Sequence, residues 1–224
     1  MSIATLSCRV SKRRSASANR DAGPPATMRA WSPAWLAARA RLLVSGVLVA
    51  ALVGAAGADQ AALASLLKTL DLRSYTSRTA PPQFSGSTFH ARQLAMTEHR
   101  GTVIVLNFWA SWCLECRAEM RVLERLQREF SSRGLAIIGV NARESKEAVG
   151  RYSKELGLTY TLMLDPDGKI NALYGVIVLP TTFVVARDGR AVAFAIGPRQ
   201  WESAPARALI EALLAEPTPG SAAQ

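Results

Sequence analysis

Apolar positions along this chain fall into short continuous runs and one-sided stripes, and the two patterns alternate. Residues 102–109 (TVIVLNFW) are a nearly unbroken apolar run and predict a buried strand; residues 135–140 (LAIIGV) predict a second. Between them, residues 113–131 place Met120, Leu123, Leu126, Gln127 and Phe130 near one face and arginines on the other, the pattern of an amphipathic helix. Gly134 stands where such a helix stops. Residues 145–156 predict a helix closed by Gly157, and residues 160–164 a short strand ahead of the turn Asp165-Pro166-Asp167-Gly168. Strands at 181–186 and 191–196 flank Asp188-Gly189, a hairpin signal, and 200–215 predict the last helix. Two parallel βα units followed by a hairpin and a helix imply an α/β domain: a mixed central sheet with helices on both faces.

The same pattern divides the chain. Pro81-Pro82 marks a boundary, so residues 80–215 are expected to form the domain. Residues 59–79, with a short helix at 61–70, are expected to be a linker, and residues 216–224 a flexible tail. Residues 42–58 (LLVSGVLVAALVGAAGA) carry no charge at all. That length sits at the lower edge for a membrane-spanning helix, and Ala56-Gly57-Ala58 before Asp59 resembles a small-residue cleavage site. The run is therefore either an uncleaved anchor or a removed signal peptide, and both readings export the rest of the chain.

Charge sharpens this picture. The net charge is +10, but residues 1–41 hold eight basic groups against Asp21 alone. Basicity is thus mostly a property of the N-terminal arm, and positive charge before an apolar run keeps that end in the cytoplasm. The remainder shows no interleaved basic and aromatic stripe, so no nucleic-acid partner is expected. Met28 opens an ordinary export signal, which makes it the expected true start of translation.

The chemistry is concentrated in Trp112-Cys113-Leu114-Glu115-Cys116, where a strand gives way to a helix. A cysteine at a helix N-terminus meets free N–H groups and the positive end of the dipole, and both stabilise a thiolate. Three residues on, a second sulfur is one helical turn away. Cys113 is therefore the expected attacking thiol and Cys116 the resolving one. A structural zinc site needs four ligands. The other cysteine is Cys8, and neither His90 nor His99 has ligand spacing to the pair, so no metal is expected. A purely structural disulfide across so short a loop would remove little chain entropy. Val178-Leu179-Pro180-Thr181-Thr182 adds a proline just before a strand, where it cannot donate to a ladder.

These residues resemble the thioredoxin superfamily, and within it the membrane-tethered TlpA/ResA/CcmG-type thiol-disulfide oxidoreductases. The likeness covers residues 80–215 and rests on Asn107-Phe108-Trp109-Ala110-Ser111-Trp112-Cys113-Leu114-Glu115-Cys116-Arg117-Ala118-Glu119-Met120, on Val140-Asn141, and on Leu179-Pro180-Thr181-Thr182-Phe183. The resemblance implies a three-layer thioredoxin-like fold and a cis peptide before Pro180, facing the cysteine pair. It also implies that Glu119, one turn beyond Cys116, modulates thiol protonation or partner choice. Trp112, Glu115, Glu119, Pro180 and Thr181 are the candidate supporting residues.

The chain departs from the family pattern twice. Glu115 replaces the usual proline before the second cysteine, and Arg121 replaces a proline after the Glu-Met pair, which should leave the helix straighter. A carboxylate between the cysteines opposes thiolate formation at Cys113. A less stable thiolate makes a better reductant, so reduction of protein disulfides is the expected direction.

By resemblance, clients include apocytochrome c, and electrons come from a membrane thiol donor. No Gly-rich dinucleotide fingerprint is present and no cofactor is expected. The expected location is the bacterial inner membrane with the domain in the periplasm, or the periplasm itself after cleavage. The alternative is a copper-handling or metalloprotein-assembly protein that binds Cu(I) through the same thiols. A peroxidase ranks third.

Overall fold

A computed structural model describes residues 59–75, 77 and 79–218. The arm, Met28, Cys8 and the apolar run at 42–58 lie outside the described residues, and no described helix is long and apolar enough to cross a membrane.

The chain begins its described course with a helix at residues 59–69 (α1), then β1 (Arg73–Ser74), β2 (Ser85–Ser87) and β3 (Gln93–Ala95). There follow β4 (Val103–Trp109), α2 (Leu114–Phe130), β5 (Leu135–Ala142), α3 (Lys146–Leu156), β6 (Thr161–Asp165) and α4 (Lys169–Leu173). The chain closes with β7 (Thr181–Val185), β8 (Ala191–Ile196) and α5 (Ala204–Ala215). Six strands form one mixed sheet in the order β1-β8-β7-β4-β5-β6, while β2 and β3 make a separate hairpin. β4, β5 and β6 run parallel; β7, β8 and β1 join antiparallel.

Strand side chains alternate between faces, so β4 feeds two cores. Val103, Val105 and Trp109 point into one cluster, with Leu67 and Leu70 of α1, Leu123 and Leu126 of α2, Tyr152 of α3 and Leu209 of α5. Ile104, Leu106 and Phe108 point into the other, with Leu94, Met96 and Ile170. The fold is the expected α/β sandwich, but its second face is covered by the β2–β3 hairpin and the five-residue α4 rather than by long helices.

Residues 59–79 are not the linker the sequence suggested. Leu67, Leu70 and Leu72 are buried in the main core, and β1 pairs with β8 through Arg73↔Phe194 and Ser74↔Ala193. Each buried leucine contributes about 2 kcal/mol, so this segment belongs to the domain. The fold therefore starts ahead of Pro81-Pro82. The expected tail is also held where it is described: Glu216 pairs with Arg190, and the Thr218 hydroxyl accepts from Arg187 Nη1 at 3.0 Å. The last helix begins after its N-cap Ser203 rather than at residue 200: the Ser203 hydroxyl accepts from the Ala206 N–H, and Pro205 stands in the first turn.

Candidate active site

β4 delivers the chain to the site and α2 carries it away. Trp109, the last residue of β4, is fully buried and stacks on Tyr152 at 5.1 Å. Gly139 on neighbouring β5 leaves room for the indole: a Cβ there would lie 3.0 Å from Trp109 Nε1. The next turn is tied down from the end of β5. Glu144 accepts from the Ser111 N–H at 2.7 Å, from the Ser111 hydroxyl, and from Asn141 Nδ2 at 2.7 Å.

Cys113 then forms the N-cap of α2 with extended backbone (φ −85°, ψ 106°), and its Sγ accepts from the Cys116 N–H at 3.1 Å. The Cα atoms of Cys113 and Cys116 are 5.3 Å apart and the sulfurs are joined in a disulfide. Cys113 is 6% exposed and Cys116 0%, so of the pair only the first residue reaches the surface. Trp112, 70% exposed, and Leu114 rise on either side as apolar shoulders. α2 runs unbroken from Leu114 to Phe130, consistent with arginine rather than proline at 121.

The proline loop meets this surface. The Leu179–Pro180 peptide is cis, and Leu179 lines a hollow of about 410 Å³ together with Trp112. Thr181 is buried and its hydroxyl donates to Val178 O at 2.7 Å, which closes the loop beneath the exposed Ile177 and Val178.

Behind the disulfide lies a buried carboxylate. Glu119 is 3% exposed. Its Oε1 accepts from Trp201 Nε1 at 2.6 Å and from the Arg199 N–H at 3.1 Å; its Oε2 accepts from Asn107 Nδ2 at 2.9 Å. Asn107 also reaches Thr182 Oγ1 at 2.9 Å, its cross-strand neighbour on β7. Burial pushes the Glu119 carboxyl up to about 7, outweighing the three donors that favour the charged form. The site thus combines a cysteine at a helix N-terminus that just reaches the surface, a fully buried partner cysteine and a carboxyl whose proton affinity burial raises.

Residues 78–193 match the profile of the AhpC/TSA family. The chain belongs to that family. It is 33% identical over 134 residues to the thiol-disulfide oxidoreductase ResA of Geobacillus thermodenitrificans, a match covering 57% of this chain and 77% of that protein. A thioredoxin-family thiol:disulfide interchange protein from Chlorobium tepidum superposes with a TM-score of 0.56 at 28% identity, over 62% of this chain and 99% of that one. A secreted Mycobacterium tuberculosis disulfide oxidoreductase, homologous to DsbE of E. coli, gives 0.51 at 25%, over 60% and 96%. This AhpC/TSA member is a thiol-disulfide oxidoreductase of thioredoxin-like fold, and its substrates bear disulfides.

Within this family member, the structure brings Cys113, Cys116, Trp112, Pro180 and Thr181 to one end of the sheet. Glu119 is packed behind them, not on the solvated helix face that a surface charge would occupy. Glu115 stands apart. Its side chain is exposed in the first turn of α2, so water screens its charge and its leverage on Cys113 is small. Sequence reasoning missed Glu144, Asn107, Arg199 and Trp201. Asn107 had a legible signal, since it shares strand parity with the inward-facing Val105 and Trp109.

Proposed function

We propose that this protein reduces disulfides of exported clients, with Cys113 as nucleophile and Cys116 as resolving thiol. The difference in exposure between the two cysteine residues supports the assignment. In the reduced enzyme, the Cys113 thiolate attacks one sulfur of the client disulfide. That S–S bond breaks, a Cys113–client bond forms, and the client's other sulfur leaves as a thiolate. Cys116 loses its proton and attacks Cys113 Sγ, forming the Cys113–Cys116 disulfide and releasing the second client thiol. Two electrons have then moved to the client. A thiol donor in the membrane returns them by the same exchange in reverse.

Supporting roles follow from position. The α2 N-terminus stabilises the Cys113 thiolate, and the Cys116 N–H already points at its sulfur. Glu119, one turn beyond Cys116, exchanges a proton with it as the disulfide opens and closes. The cis Pro180 loop, with Thr181 bracing it, aligns the client chain beside Cys113.

Apocytochrome c is the proposed client, because its haem-binding cysteines have to be reduced before attachment. Export follows from the apolar run at 42–58 and the arm ahead of it, and the similar Mycobacterium protein is described as secreted. That run is the membrane tether if it is retained. The test is covalent capture. Cys116→Ser is expected to accumulate a mixed disulfide between Cys113 and oxidised apocytochrome c, released by dithiothreitol. Failure of Cys113 to form that adduct overturns the client assignment; failure to form an adduct with any disulfide overturns the nucleophile.

A further inference from the structure

The hollow beside the disulfide has an uneven chemistry. It is lined by Trp112, Ala142, Val176 and Leu179 and by the buried Asn171, and among the described residues Arg143 is the one charged side chain that lines it. Trp112 precedes the attacking cysteine and Leu179 precedes the cis proline. An extended chain advances about 3.4 Å per residue, so a segment in this hollow lies within a few residues of a sulfur engaged at Cys113.

The backbone of Arg143 is fixed at this position, and its side chain is exposed. Its backbone is left-handed (φ 62°), a conformation that costs a residue with a Cβ about 1 kcal/mol or more, and its N–H donates to Asp165 O at 3.1 Å. The side chain lies across the turn after β6. A Cβ on Gly168 would be 2.2 Å from Arg143 Nε, so a larger residue there would push the arginine side chain aside.

The guanidinium has no hydrogen bond or ion pair among the described residues, whereas those of Arg117 and Arg199 are paired with Glu155 and Asp71. Two neighbouring carboxylates, Glu144 next in the chain and Asp165 across the strand pair, are engaged elsewhere. Glu144 accepts from Ser111 and Asn141, and Asp165 accepts from the Ile170 N–H and from the N–H and Nδ2 of Asn171. A guanidinium with its donors free, carried on a fixed backbone at the rim of an apolar hollow, can take a carboxylate in a two-pronged hydrogen bond.

We propose that Arg143 is a specificity-determining residue for the exchange reaction: it selects client segments that carry an acidic side chain next to an apolar one, close to the attacked cysteine. This rests on Cys113 being the nucleophile toward polypeptide disulfides. It adds a charge preference that the disulfide chemistry alone does not require.

The test compares peptides within each protein variant, so that the fraction of active protein cancels. Disulfide-bearing peptides are made with Glu, Gln or Lys two residues before or after the attacked cysteine, and kcat/KM for their reduction is measured with the full-length protein. Wild type is expected to favour Glu over Gln by about fivefold on one side of the cysteine and to disfavour Lys, with the preference shrinking at high salt. Arg143→Gln is expected to remove the preference and Arg143→Glu to invert it toward Lys. Equal Glu/Gln ratios in wild type and Arg143→Gln overturn the acidic subsite while leaving the exchange chemistry intact. If wild type reduces none of the peptides, the exchange reading fails and the subsite fails with it.

Discussion

Replacing Glu119 by glutamine isolates the energetic cost of burying that carboxylate. In the unfolded chain the carboxyl titrates near 4.5, and in the fold burial raises it to about 7. Below 4.5 both states hold the proton and the group contributes nothing. Between 4.5 and about 7 the folded protein binds the proton that the unfolded chain has lost, so stability falls as pH rises. Above about 7 both states are ionised and the penalty is complete, about 3 kcal/mol. Glutamine keeps the shape without the charge. Its carbonyl can accept from Trp201 and Arg199, and its amide can donate to Asn107 Oδ1 once the Asn107 amide flips, since Nδ2 faces this position in the wild type.

Urea unfolding of the oxidised protein and of Glu119→Gln, followed by tryptophan fluorescence from about pH 4 to 8.5, measures the difference. The glutamine variant is expected to gain about 3 kcal/mol on wild type across the window from 4.5 to 7, with a flat difference on either side. Two parallel stability curves refute the reasoning, because they mean that the three donors fully offset burial. The same proton is expected to appear in catalysis, as an inflection near 7 in the rate of Cys113–Cys116 closure that Glu119→Gln lacks.

Three further substitutions probe the frame of the site. Glu144→Ala removes the acceptor for Ser111 and Asn141; a loss of about 2 kcal/mol and faster hydrogen exchange at the Ser111 amide are expected, and unchanged exchange argues against the clamp. Gly139→Ala places a methyl 3.0 to 3.2 Å from Trp109, Leu162 and Tyr160; a loss of about 1–3 kcal/mol is expected in denaturant unfolding, and an unperturbed midpoint means that the indole has slack. Glu115→Gln is expected to make the dithiol less reducing by no more than about 20 mV in a glutathione titration, since an exposed charge acts weakly. A larger shift means that its charge reaches Cys113 despite water.

What the sequence revealed divides along the range of the interactions involved. The β4–α2 junction was legible because strand run, helix stripe and cysteine spacing are all local. Glu119 was half legible. It falls on the same helical stripe as Leu123, Leu126 and Phe130, which are buried, so its own burial follows from periodicity. Its partners do not follow, because Arg199 and Trp201 approach from about 80 residues away and no local pattern announces them.

The N-terminal segment shows a signal present but outweighed. Leu63, Leu66, Leu67 and Leu70 recur at helical spacing, and all four pack on the core. Residues 59–79 were expected to be a linker ahead of Pro81-Pro82, yet Leu72 is buried there and β1 completes the sheet edge. Arg143 is the opposite case. Nothing in its neighbourhood asks for a left-handed residue, and the glycine that accommodates its side chain is 25 positions on, across the β5–β6 edge. Features that generate chemistry could be read from adjacent residues, whereas those that select among substrates depend on loops that meet only once the sheet has formed. A charge preference at Arg143 therefore adds information about this chain that its cysteine motif, legible from the start, could not contain.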